Sequence, residues 1–299
     1  MTHSKLIYIA GPTASGKTTA AIALAQALNT EIISCDARQF YREMKIGTAV
    51  PSPEELQLIP HHFIQQRSIH EPYTVGDYRE EALAMLRTLF KNHDTLILVG
   101  GSGMFADALI DGMDVFPTVD PMVRPQLNAI YQQEGIEVLQ DLLRQHDLAH
   151  YQRVDRQNPH RLIRALEVSL SAGQPYSSFL GKKAAPDFFT TEKIVLEWDR
   201  PTLYARINER VDQMIAQGLE EEARGLMEHR ALNALQTVGY REWFAHFDGS
   251  FDRETAIEEI KKNSRRYAKR QITWFRRYKE AHRIEGGASV KTLISALKL

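Results

Sequence analysis

The chain reads Gly11-Pro12-Thr13-Ala14-Ser15-Gly16-Lys17-Thr18 between an apolar run at residues 6–10 and an alanine-rich segment at residues 19–28. This order predicts a strand, a glycine-rich turn and a helix, which is the context that the phosphate-loop pattern requires. Backbone N–H groups of such a loop converge on phosphate oxygens, and the amino end of the helix adds positive charge. Lys17 supplies a further charge, and the Thr18 hydroxyl can ligate Mg²⁺. The stretch therefore predicts a site for a di- or triphosphate.

Composition limits the class of protein. The chain has 299 residues, 43% of them hydrophobic, and a formal net charge of −1, so it can bury a full hydrophobic core. Residues 261–283 nevertheless contain ten Lys or Arg and one acid, Glu280. Cys35 is the only cysteine, which excludes an internal disulfide and a cysteine-based zinc site. No apolar run reaches the ~20 residues of a membrane span and no export signal is present, so we expect a cytoplasmic protein.

Two further apolar runs predict strands of a parallel sheet. Residues 31–34 lead to Asp36, and residues 95–99 lead to Gly100 and Gly101. Because ligands bind at the carboxyl ends of parallel strands, Asp36 is expected near the phosphate loop, although it is equally suited to cap the segment that follows it. A hydrolysing phosphate-loop enzyme commonly has a metal-binding Asp where the two glycines stand. The glycines therefore argue against an ordinary ATPase.

The middle of the chain has a different character, because strand signals are absent from residues 119–186. Apolar periodicity predicts helices at 123–133, 136–145 and 159–170. A stretch rich in Gly, Pro, Ser and Lys at 173–187 predicts a return linker. The predicted fold class is α/β, with a phosphate-loop NTPase-like core and a parallel sheet at residues 1–118 and 187–299. Residues 119–186 are predicted to form an all-helical insertion.

The last third of the chain contains one more predicted strand, at residues 194–198, and a long predicted helix at 201–227. Arg206 and Arg210 stand one turn apart on that helix. The basic segment after residue 261 alternates charged and aromatic side chains, which is typical of a surface that binds a nucleic-acid backbone. A merely solvated helix has the same charge pattern, so both interpretations stay open.

Seven motifs in a fixed order carry a resemblance to a known family. They are GPTASGKT (11–18), CDARQFY (35–41), IGTA (46–49), GGSGM (100–104), NPHRLIRALEV (158–168), TVGYRE (237–242) and AKRQITWFRR (268–277). Together they resemble the tRNA dimethylallyltransferases over nearly the whole chain. The resemblance implies transfer of a dimethylallyl group from dimethylallyl diphosphate to N6 of adenosine 37 in tRNA, 3′ to the anticodon, with release of diphosphate. It also implies Mg²⁺ as cofactor and the anticodon stem-loop as partner, and we expect a monomer with no membrane partner.

The resemblance further implies roles for individual residues. In catalysis, Asp36 would act as general base, while Lys17, Thr18 with its Mg²⁺, and Arg210 would act on the diphosphate. The diphosphate loop would comprise Gly11, Pro12, Thr13, Ala14, Ser15, Gly16, Lys17 and Thr18. The implied tRNA contacts are Asp36, Ala37, Arg38, Gln39, Ser102, Arg124, His160, Arg161, Leu162, Ile163, Arg164, Gln236, Thr237, Val238, Gly239, Tyr240 and Arg241. Because an adenine stacked in a loop is out of reach, the nucleotide must be flipped into the site.

The chain departs from the usual family pattern at Ala37, at Ala49-Val50 and at Met104-Phe105, which affects details of tRNA contact rather than the reaction. Two alternatives compete with a tRNA-prenylating enzyme. An adenylate-type isopentenyltransferase acting on free nucleotides shares the loop and the Asp, but a nucleotide-sized substrate needs neither the insertion nor the basic tail. An RNA-binding ATPase without transfer chemistry is disfavoured by Gly100 and Gly101.

Overall fold

In the computed structural model, which describes residues 4–298, six strands form one sheet. They are β1 (Lys5–Ala10), β2 (Ile32–Ser34), β3 (His61–His62), β4 (Thr95–Val99), β5 (Thr190–Glu197) and β6 (His282–Glu285). The spatial order is β3-β2-β4-β1-β5-β6, and every neighbouring pair is parallel. The predicted α/β class is therefore confirmed. The two edge strands, β3 and β6, were not predicted, because such short strands carry no periodic pattern.

Helices surround the sheet and also form the middle of the chain. They are α1 (Lys17–Leu28), α2 (Pro53–Leu58), α3 (Val75–Leu89), α4 (Gly103–Ile110), α5 (Val123–Glu134), α6 (Ile136–His146), α7 (Leu148–Tyr151), α8 (Pro159–Ala172), α9 (Arg200–Ala216), α10 (Leu219–Gly225), α11 (Tyr240–Phe247), α12 (Arg253–Phe275) and α13 (Val290–Leu297). None of the helices within residues 4–298 is both long enough and apolar enough to cross a bilayer.

The single long helix predicted at 201–227 is wrong, because α9 and α10 are separate. Gly218 stands between them with a φ of 100°, in the left-handed region that glycine adopts readily and that a continuing helix excludes. The break also changes the direction of the chain, so that α10 carries Glu222 towards the turn at residues 45–47.

The central strand β1 explains how the core is built. Its residues alternate between two apolar layers: Leu6 and Tyr8 pack on the side covered by α3 and α4, whereas Ile7 and Ile9 pack on the side covered by α1 and α13. This is the two-residue period of a strand that is buried on both faces. Because β1 is held on both faces, the loop that follows its carboxyl end starts from a fixed position.

The chain divides into two compact units. The core unit contains the described residues up to Ile110 and from Pro186 onwards, and the helical unit is Asp111–Ala185. The helical unit begins eight residues before the predicted start at residue 119 and ends one residue before residue 186. Its own core is formed by α5, α6 and α8, with Leu139, Leu143 and Leu162 among its buried side chains.

Candidate active site

A cavity of about 550 Å³ opens in the core unit, and loops that follow β1, β2 and β4 line it. This is the place where parallel sheets bind ligands. Further walls come from α9, from α12 and from the segment that leads into α11. The cavity brings together most of the predicted site residues of this unit: Thr13, Lys17, Thr18, Asp36, Ala37, Arg38, Gln39, Ser102, Arg210, Gln236, Thr237, Val238, Gly239 and Arg241.

The predicted phosphate loop runs from β1 into the amino end of α1. Gly16 stands before the helix with a φ of 87°, and being glycine it offers no side chain to cap the first turn. The first N–H groups of a helix have no partner within the helix, so an uncapped first turn presents donors and positive partial charge to a bound anion. Lys17 and Thr18 both line the cavity at this end of the helix.

Side-chain donors hold the carbonyl groups of the loop. The hydrogen bonds are Lys17 Nζ to the Pro12 oxygen at 2.8 Å, Arg206 Nε to the Ala14 oxygen at 3.0 Å, and Trp198 Nε1 to the Ser15 oxygen at 3.2 Å. The Arg206 guanidinium also lies over the Trp198 ring, 4.8 Å from its centroid. Ala14 has a φ of 62°, a strained value for a residue with a Cβ, and these contacts stabilise it. The backbone of the loop is thus held by contacts within the protein itself.

A glutamine on α12 ties the loop to the end of β4. The Gln271 oxygen accepts the N–H of Thr13 at 2.8 Å, and its amide group donates to the Gly101 oxygen at 3.0 Å. A Cβ on Gly101 would come within 2.3 Å of that amide nitrogen, so only glycine allows this approach. Gly101, one of the two glycines that argue against a hydrolytic enzyme, is therefore required for this contact.

The cations Lys17 and Arg210 line the same cavity. Burial of the Lys17 ammonium, reinforced by the nearby Arg210 charge and opposed by Asp36, lowers the pKa of Lys17 to about 8. Burial also lowers the pKa of Arg210, against the attraction of Asp36. Arg210 donates to the Thr13 hydroxyl at 3.2 Å. Two partly desolvated cations held close together favour a multiply charged anion beside them.

Asp36 lies at the carboxyl end of β2 and lines the same cavity. Its Oδ1 accepts the Arg38 N–H at 3.1 Å, so the carboxylate both caps its own turn and faces the cavity. The Ser102 hydroxyl accepts the next N–H, that of Ala37, at 3.0 Å. Ser102 is also hydrogen-bonded to Tyr267, whose pKa burial raises to about 12. The position of the acid is therefore set by the backbone of its turn.

Two residues predicted to contact tRNA, Tyr240 and Arg38, make side-chain contacts within the protein. Tyr240 is fully buried, and its hydroxyl donates to Glu222 at 2.7 Å. The Arg38 guanidinium donates to the carbonyls of Asn233 and Ala234. For the side chain of Tyr240 the predicted contact is wrong, because the ring packs in the core.

The helical unit requires a similar correction. The side chains of Leu162 and Ile163 are buried between its helices, so the prediction that they contact tRNA is wrong, whereas His160 and Arg161 are exposed. The sequence pattern predicts RNA contact for the whole segment 160–164 because a helix start with two arginines resembles a binding surface. The helical period places the apolar pair inward.

Arg124 and Arg164, both predicted tRNA contacts, are joined by a buried carboxylate. Arg124 donates to Glu167 through two nitrogens, at 2.6 and 2.8 Å, and Arg164 donates to it at 2.6 Å. Burial alone raises the pKa of Glu167, but the hydrogen bonds from the two arginines outweigh it and lower that pKa. The two guanidinium groups are held by one carboxylate while their side chains stay partly exposed.

Replacing Glu167 with Ala should destabilise the protein by about 1–3 kcal/mol, because two charged donors lose a buried acceptor. Urea unfolding measures the change, and Glu134→Ala, on an exposed side chain of the same unit, is the matched control. Because the folded-state pKa is lowered, the stabilisation is complete above the ordinary carboxyl pKa and disappears as the pH falls through the lowered value. Equal unfolding free energies for wild type and E167A would contradict the assigned role.

Two residues that organise the cavity, Gln271 and Glu222, were not predicted as site residues. Gln271 belongs to the basic helix, and Glu222 ends the acidic run Glu220–Glu222, so their local sequence indicates solvated surface. Only the contacts with distant segments reveal them.

Comparison with known proteins identifies the family. A family model described as IPP transferase matches residues 39–278. The tRNA dimethylallyltransferase of Flavobacterium johnsoniae is 54% identical over 278 residues, which are 91% of this chain and 90% of that protein. The chain belongs to the tRNA dimethylallyltransferase family.

Further relatives agree with this assignment. The tRNA dimethylallyltransferase of Christiangramia forsetii is 50% identical, with 98% of this chain and 97% of that protein aligned. Among solved structures, the tRNA isopentenylpyrophosphate transferase of Bacillus halodurans superposes with a TM-score of 0.71 at 34% identity, covering 98% of this chain and 94% of that one. The predicted membership and the phosphate-loop core of the tRNA dimethylallyltransferase fold are confirmed.

Proposed function

We propose that this protein transfers the dimethylallyl group of dimethylallyl diphosphate to N6 of adenosine 37 in tRNA and releases diphosphate. One observation carries the proposal: in a member of the tRNA dimethylallyltransferase family, Asp36 lines the same cavity as Lys17 and Thr18. A carboxylate and an anion-binding helix end thus share one space. The free-nucleotide alternative is set aside because the relatives are named for tRNA.

The reaction breaks the allylic C–O bond and forms a C–N bond to the exocyclic amine. The lone pair of that amine is delocalised into the adenine ring, so it is a weak nucleophile until a base accepts its proton. Asp36 is the base, and the proton moves from N6 to its carboxylate as the C–N bond forms. The hydrogen bond from Arg38 N–H holds this carboxylate at the wall of the cavity.

Negative charge grows on the diphosphate as the C–O bond breaks. Lys17, Arg210 and the first N–H groups of α1 offset this charge from positions fixed in advance. Such preorganised stabilisation is often the largest catalytic contribution. No water-activating group is needed, since the diphosphate is a leaving group and not a phosphoryl donor.

The donors beside the loop fit a Mg²⁺ ion. Mg²⁺ keeps several waters and is held by one or two protein oxygens together with substrate phosphates. The Thr18 hydroxyl lines the cavity and would be the protein oxygen that holds the ion, and residues 4–298 contain no group of three or more His, Cys, Asp or Glu that could hold a metal without the substrate. When bound, the ion would neutralise diphosphate charge.

The acceptor adenosine must leave its stack to reach Asp36. We propose that exposed basic side chains of α12, including Arg266 and Lys269, contact the phosphates of the anticodon stem-loop, as do Arg161 and Arg164 of the helical unit. We also propose that the protein acts as a monomer in the cytoplasm.

A transfer assay tests the proposal. Purified protein is incubated with Mg²⁺, labelled dimethylallyl diphosphate and an anticodon stem-loop carrying adenosine at position 37, with AMP, ADP and ATP in parallel reactions. We expect label on the RNA alone, and guanosine at position 37 should abolish it. Label on the free nucleotides, or on no acceptor, would overturn the proposal.

A further inference from the structure

The carboxylate of Glu222 on α10 accepts four hydrogen bonds from two separate segments. Three come from successive backbone N–H groups, those of Lys45, Ile46 and Gly47, at 2.9, 2.8 and 2.9 Å. The fourth comes from the Tyr240 hydroxyl at 2.7 Å. Successive N–H groups that converge in this way form a concave anion site, and here the protein fills that site with its own side chain.

Both of these segments line the cavity. The turn that receives Glu222 contributes Gly47, Thr48 and Ala49 to its wall, and the residues around Tyr240 contribute Thr237 to Gly239 and Arg241. The two segments also contact each other closely, because a Cβ on Gly47 would lie 2.6 Å from the Tyr240 ring. Glu222 therefore holds together the two segments that form one wall of the cavity, from the side that faces away from the cavity.

That wall is connected to the turn of the catalytic base. The Gln39 side-chain amide donates to the carbonyls of Thr48 and Ala49, at 3.1 and 2.9 Å. The backbone N–H of Gln39 donates to the Asp36 carbonyl at 3.2 Å, and this bond closes the turn that carries Asp36. A displacement of the wall would therefore reach the base through Gln39.

The phosphate loop is supported from elsewhere. The four hydrogen bonds that Glu222 accepts come from residues 45–47 and 240, whereas donors and acceptors on Arg206, Trp198 and Gln271 hold residues 13–15. This wall and the phosphate loop thus have separate supports.

We propose that Glu222 is a positioning residue for the RNA acceptor, acting through the turn at 45–49 and through Tyr240. The inference rests on the proposed function, because it assigns this wall to the adenosine. Loss of the Glu222 carboxylate should impair use of the RNA and leave use of the diphosphate substrate unchanged. The hydrogen bonds of Glu222 go to the wall and not to the reacting groups, so Glu222 acts on the placement of the adenosine and of the Asp36 turn and takes no part in the chemical step.

Glu222→Gln tests the proposal, because the amide keeps one acceptor oxygen but directs an NH₂ group at N–H donors. We expect KM for the stem-loop to rise roughly ten-fold or more, with KM for dimethylallyl diphosphate unchanged. Glu221→Gln makes the same change on the exposed neighbour and should behave as wild type. Tyr240→Phe keeps the ring and removes only one bond, so it should show a smaller rise that is not additive with E222Q.

KM for each substrate is measured on every variant, and the affinity for stem-loop RNA is measured by titration. An unchanged stem-loop KM in E222Q, or an equal rise in both KM values, would overturn the inference. If E222Q fails to fold, Tyr240→Phe decides by the same criterion. Failure of wild type to transfer the group would count against the proposed function, while the stem-loop affinities of E222Q and E221Q would still test Glu222.

Discussion

Replacing Asp36 with Asn should lower the rate of dimethylallyl transfer by roughly 10²–10⁴-fold, the usual contribution of a positioned general base. The amide cannot accept the N6 proton at neutral pH. It does retain an oxygen for the Arg38 N–H, so the turn at the end of β2 should keep its geometry. Single-turnover transfer to the stem-loop measures the effect separately from product release.

The control for this variant is Asp94→Asn, the same change on an exposed carboxylate just before β4. We expect D94N to transfer at the wild-type rate, and we expect D36N to bind the stem-loop with wild-type affinity. Transfer by D36N at the wild-type rate would remove Asp36 from the role of base. Loss of RNA binding together with activity would instead indicate a structural role.

Replacing Lys17 with Ala should lower kcat/KM for dimethylallyl diphosphate by roughly 10- to 100-fold, because a hydrogen bond to a charged group is lost. Lys17 lies at the amino end of α1 and lines the cavity, where its charge would face the leaving group of the proposed reaction. Initial rates at limiting dimethylallyl diphosphate measure the loss. Lys91→Ala, on an exposed side chain after α3, is the matched control and should be silent.

The pH dependence gives a second signature of Lys17. Its pKa is lowered to about 8, chiefly by burial, so the ammonium is charged below that pH and neutral above it. In wild type, kcat/KM for dimethylallyl diphosphate should therefore fall as the pH rises through about 8. K17A should lack this inflection, and an unchanged profile in K17A would assign the inflection to another group.

The phosphate loop and the strand before it can be predicted because their signals are local. A glycine-rich turn between an apolar run and a helix has few other interpretations, and the alternation along β1 follows from the two-residue period. The rule for parallel strands predicts Asp36 near the loop, and the structure has both at one cavity. The motif order predicts the family, which the relatives confirm.

The roles of Gln271 and Glu222 could not be predicted from the sequence. Each side chain bonds to backbone groups far away in the chain, and neither a local propensity nor a charge pattern reports such a partner. The same limit explains why the sequence predicts a tRNA contact at Tyr240, since that ring is buried close to Gly47 and its hydroxyl bonds to Glu222, both distant in the chain.

The sequence by itself determined the parts that this protein contains: a phosphate-loop motif, an acid after the second strand, a basic helix and the α/β core. These depend on short motifs and periodicities. Only the tertiary structure decided which side chains face the cavity and which support it from behind. That division depends on the packing of segments that are remote in sequence. An example is α10 against the turn at 45–49, where the Glu222 carboxylate accepts backbone N–H groups that no local pattern could assign to it.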